Sequence, residues 1–140
     1  MLWVALATAI MLLSGELSRE ADDGKMLARL LEVLRKSTIQ DVPDAARKAA
    51  ALRAIRTFEL GLEAYRRQIA SFKACIAEAD GRYGATRADY DACQAPVEAE
   101  RAQLRQSLVT AQNEYEASVT EAERTRVAQT VMATSAATLL

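Results

Sequence analysis

Cys75-Ile76-Ala77-Glu78-Ala79-Asp80-Gly81-Arg82-Tyr83-Gly84-Ala85-Thr86-Arg87-Ala88-Asp89-Tyr90-Asp91-Ala92-Cys93 is the stretch that decides the fold. Gly81-Arg82-Tyr83-Gly84 is the one strong turn signal in the chain, because paired glycines accept backbone conformations that other residues resist. The only two cysteines stand almost symmetrically about it. Across two antiparallel helices, residues at one height have position numbers with a constant sum. For Cys75 and Cys93 that sum is 168, centred on position 84. A disulfide across a helical hairpin is therefore geometrically natural, and it points outside the reducing cytosol. Closing a loop of ~18 residues stabilises a fold by roughly 3 kcal/mol in the chain-entropy model. Reduced cytosolic thiols and a redox pair are the alternatives; the redox reading lacks a Cys-x-x-Cys spacing and a nearby histidine.

Outward from the turn, both flanks carry heptad seams. Ile55, Phe58, Leu62, Tyr65, Ile69, Phe72, Ile76 and Ala79 alternate in steps of three and four, the spacing of a coiled coil. This predicts a helix over 44–80, with Asp41 and Pro43 suited to its cap and first turn. Thr86 with Asp89 makes an imperfect capping box for the next helix. That helix's seam is Tyr90, Cys93, Val97, Leu104, Leu108, Ala111, Tyr115 and Ala122. One register pairs Ile76 with Cys93, Phe72 with Val97, Tyr65 with Leu104, Leu62 with Leu108 and Ile55 with Tyr115. Charge agrees: residues 44–80 carry a net +2 and residues 86–133 a net −3, a modest preference for pairing. Pro96 is expected to kink the later helix near Ala92, and Gly61 to mark a close helix approach. At ~1.5 Å per residue the longer helix would approach ~70 Å.

The expected fold is all-α: an elongated antiparallel helical hairpin over 44–133 with its turn at 81–85, joined by a shorter N-terminal helix. Asp22-Asp23-Gly24 reads as a break before an amphipathic helix over 25–36 whose apolar face is Met26, Leu27, Leu30, Leu31, Val33 and Leu34. Residues 37–42 read as a linker, so 16–42 forms one segment and a three-helix bundle closes the base. Residues 1–15 contain no charge. They are too short for the roughly 20 apolar residues of a spanning helix, and two readings stand: a packing end, or a truncated signal or anchor. Residues 127–140 are likewise uncharged, and 134–140 reads as an apolar C-terminal end. On a straight later helix, both charge-free ends gather away from the turn.

Composition narrows the function classes. Of 140 residues, 29 are alanine and seven aromatic, which favours helix over a thick globular core. With 18 basic and 19 acidic residues the net charge is −1, which removes the electrostatic case for nucleic acid. Histidine is absent, so imidazole catalysis and most zinc sites are excluded. Glu98/Glu100, Glu114/Glu116 and Glu121/Glu123 point to different sides of a helix at their spacing and read as solvated faces rather than metal ligands. No catalytic residue, metal site or cofactor is expected, and the chain does not read as an enzyme. The expectation is a non-catalytic structural or accessory subunit in the periplasm or another extracytoplasmic space. Its apolar ends would dock to a protein partner in a membrane-associated complex through Leu2, Trp3, Leu12, Leu27, Leu31, Val131, Met132 and Leu139. The basic residues around 25–36 also suit an anionic membrane surface. A soluble periplasmic helical binding or chaperone-like module is the alternative.

Overall fold

A computed structural model describes residues 20–138, with side chains for 27–134. Among the described residues all regular structure is α-helical. The helices are α1 (Glu20–Asp41), α2 (Ala45–Asp80), α3 (Arg87–Ser118) and α4 (Glu121–Thr138). The apolar ends 1–15 and 139–140 lie outside the described residues.

Helix α1 is longer than the 25–36 expected from its apolar face. It runs through Gly24, and the segment read as a linker is its last turn. The reason lies in Ser37 and Thr38, polar residues that are buried there rather than solvated. Thr38 Oγ1 donates to the Leu34 carbonyl at 2.7 Å, and Ser37 Oγ to Asp41 Oδ2 at 3.1 Å. Pro43 disfavours helix at the residue before it, and α1 ends accordingly. The cap of α2 is Asp44, not Asp41: its Oδ1 accepts the Arg47 N–H at 2.8 Å, which satisfies one of the orphan donors of the first turn.

The single helix expected beyond Thr86 is two helices. Helix α3 passes unbroken through Pro96 and stops at Ser118. Thr120 then opens α4 with a complete capping box: its N–H donates to Glu123 Oε2 at 2.8 Å, and the Glu123 N–H donates to its Oγ1 at 3.2 Å. These reciprocal bonds satisfy helix-start donors on both sides. Helix α4 packs against α1 instead of continuing α3.

The chain divides into two compact units. Of the described residues, the first holds those up to Ile55 and those from Gln112 onward; the second is Arg56–Ala111. All four helices contribute to the first unit, so its bundle has one more helix than the sequence led us to expect. Its core contains Leu27, Leu31, Leu34, Val42, Ala51, Ala54, Ile55, Tyr115, Val119, Val127 and Val131. Of the seven largest fully buried side chains, every one but Phe58 belongs to this unit, which makes it the better packed of the two.

The second unit consists of α2 from Arg56 to its end, the turn, and most of α3. Phe58, Leu62, Leu104 and Leu108 are buried in it, and a Cβ on Gly61 would lie 3.2 Å from the Ser107 Cβ. A side chain at position 61 would crowd Ser107, so glycine eases the close approach at this point. Three contacts descend one helix as they climb the other: Gly61 with Ser107, Cys75 with Cys93, and Asp80 with Tyr90. Their position sums are 168, 168 and 170. Towards the turn, Tyr65, Ile69, Phe72 and Ile76 are only half-buried, because two helices cover just the inner edge of a seam this wide. Gly84, at φ 101°, takes the left-handed step of the turn, a conformation glycine adopts without the Cβ clash.

Candidate functional site

Cys75 and Cys93 form a disulfide between α2 and α3, with Cα atoms 5.7 Å apart. The start of α3 is fixed beside it. Asp89 Oδ2 accepts the Thr86 N–H at 2.7 Å, and these Thr86 bonds hold the Asp89 carboxyl below its ordinary range. Tyr90 Oη donates to Asp80 Oδ1 at 2.8 Å, and this bond pushes the phenol pKa up. The turn held by these contacts presents Tyr83 fully to solvent.

In the first unit the interacting polar groups come from all four helices: Thr38 on α1, Arg47 on α2, Tyr115 on α3 and Glu123 on α4. Thr38 has spent its hydroxyl hydrogen on Leu34, so in the 2.8 Å contact between the Thr38 and Tyr115 hydroxyls the tyrosine is the donor. Tyr115 is fully buried, and burial drives its pKa up. Arg47 Nη1 donates to Glu123 Oε2 at 2.5 Å, and Arg126 reaches the Asp41 carbonyl at 3.5 Å. Glu123 is 4% exposed, a correction to its reading as part of a solvated acidic face. The Arg47 hydrogen bond, seconded by the Thr120 N–H, lowers the Glu123 pKa to about 2, and the same pairing raises that of Arg47. Thr120-Glu121-Ala122-Glu123 is a Thr-x-x-Glu signature that sequence alone can flag as a helix start. The sequence reading passed over it because the seam residues carried on to Ala122.

The residues expected to dock a partner fall into three groups. Leu2, Trp3, Leu12 and Leu139 lie outside the described residues. Leu27, Leu31 and Val131 are buried in the first unit and act as its core, the natural fate of apolar side chains between α1 and α4. Met132 is the exposed one among the four that are described, at 61%. Among the described residues, no helix is long and apolar enough to cross a membrane, and no group of three acidic or cysteine side chains could hold a metal ion. No protein-family model, curated protein or solved structure matches the chain.

Glu123 makes the first unit acid-sensitive. A carboxyl whose pKa is near 2 when folded and about 4.5 when free contributes stability that is complete above the higher value. That contribution is lost as pH falls from the higher value to the lower, since the unfolded chain takes up the proton first. Glu123→Gln should therefore be clearly less stable than the parent at pH 7, with the gap closing between about pH 4.5 and pH 2. Urea midpoints at pH 7, 4 and 2.5 test this. A gap that stays constant across the series rules it out.

Proposed function

We propose that the chain is a non-catalytic structural or accessory subunit of an extracytoplasmic, membrane-associated complex. In this reading α2 and α3 form an antiparallel coiled-coil hairpin, and the charge-free ends of the chain supply the contact with a partner protein. The observation that carries it is Met132, a large apolar side chain left 61% exposed within an uncharged stretch, residues 127–140. The disulfide supports an oxidising compartment. The test is mild detergent extraction from the native source, comparing the parent chain with Met132→Asp. We expect the parent in a complex of fixed stoichiometry and the variant free of it, with unchanged helical circular dichroism. A parent chain recovered as a free monomer counts against the proposal. Leu60 and Val109, half-exposed apolar side chains of the second unit, favour the alternative of a periplasmic client-binding module. That alternative would give heterogeneous, exchangeable associations instead.

A further inference from the structure

We infer that the Cys75–Cys93 disulfide is a redox-operated latch for the turn-side part of the second unit, whose opening leaves the first unit folded. The two units differ in what holds them together. The first buries six of the seven largest fully buried side chains and contains no cysteine. In the second, from Tyr65 to the turn, the seam is half-buried Tyr65, Ile69, Phe72 and Ile76. The buried residues of that stretch are small: Ala79 on α2, and Cys93 and Val97 on α3. A side-chain hydrogen bond between the two helices in that stretch, Tyr90 to Asp80, is exposed. Helices in water depend on packing of an apolar face more than on propensity, and this stretch packs little. The covalent link therefore carries its closure.

The chemistry is thiol–disulfide exchange with a dithiol. Cys93 is buried and Cys75 half-buried, so a dithiol thiolate attacks the Cys75 sulfur and expels the Cys93 thiolate, which takes up a proton. The reductant's second thiol then displaces Cys75. Two electrons pass to the protein, both cysteines end as thiols, and the dithiol leaves as its own disulfide. Residues 65–101 are then free to separate, and the half-buried Tyr65, Ile69, Phe72 and Ile76 stripe becomes fully exposed only in the reduced form.

Hydrogen exchange read by mass spectrometry on the full chain, with and without dithiothreitol, tests the latch. Reduction should speed amide exchange across 65–101 on the order of 100-fold, the change that releasing a clip of this length makes in an opening equilibrium. Amides of α1, α4 and the first turns of α2 should keep their rates. The Cys75→Ser/Cys93→Ser double variant should reproduce the reduced pattern without any reductant. Unchanged protection across 65–101 overturns the inference, and so does a loss of protection shared equally by both units.

Discussion

Val127→Asp should release α4 from the first unit and cost about 4 kcal/mol or more, among the largest effects a single substitution produces. Val127 is 0% exposed and sits on the helix that packs against α1. Removing its side chain alone forfeits about 1.5 kcal/mol or more of apolar burial. The new carboxylate is placed in the unit whose core includes Leu27, Leu31, Leu34 and Val131, where an unpaired buried charge is far costlier than the lost methyl groups. The other buried anchors of α4 among the described residues are Glu123 and Val131. Gln129→Asp, two residues away at an exposed position, should change stability by less than about 0.5 kcal/mol. Urea unfolding of the two variants, with exchange rates of α1 amides as the local readout, decides the matter. Equal stabilities would mean that α4 is not part of the core.

Tyr115→Ala should cost about 3–5 kcal/mol, as deletion of a large buried aromatic does, while Tyr115→Phe should cost only about 1 kcal/mol. The difference follows from the hydrogen-bond directions. The phenol donates to Thr38, but the Thr38 hydrogen is already committed to the Leu34 carbonyl. Phenylalanine fills the same volume and strands no donor; it merely removes a bond to a hydroxyl that keeps its other partner. Alanine leaves a cavity among fully buried neighbours. Thermal unfolding of both variants checks the ranking. A phenylalanine variant as damaged as the alanine one would assign the hydroxyl, not the ring, the leading part.

Where sequence and structure agree, the signal was local or covalently constrained. The Gly81–Gly84 turn and the cysteine spacing located the Cys75–Cys93 pair because a short connection leaves few ways to bring them together. The all-helical class followed from alanine content and the scarcity of glycine and proline. The start of α3 was visible in Thr86 and Asp89. The misreadings share a different cause. Seam periodicity is blind to a helix that stops and restarts within one heptad, so the end of α3 at Ser118 was hidden behind a pattern running on to Ala122. Thr38 looked like a linker residue because its hydroxyl partner, Tyr115, lies 77 positions beyond it. Glu123 looked solvated because its partner, Arg47, lies 76 positions away. As for docking, apolar character at Leu27, Leu31 and Val131 could not by itself distinguish a core from a contact surface.

The packing of α4 against α1 also dictates an order of events during synthesis. Residues 56–111 form a continuous stretch of chain, and their helices can meet as soon as both have left the ribosome. The first unit has no such freedom. Leu27, Leu31 and Leu34 emerge early, but the helix packed against theirs begins only at Glu121. At ~5–20 residues per second, α1 spends several seconds with its apolar face unmatched by the helix it will bind. During that interval the nascent chain is open to chaperones and to premature association, and the interval closes only when Val127 and Val131 arrive.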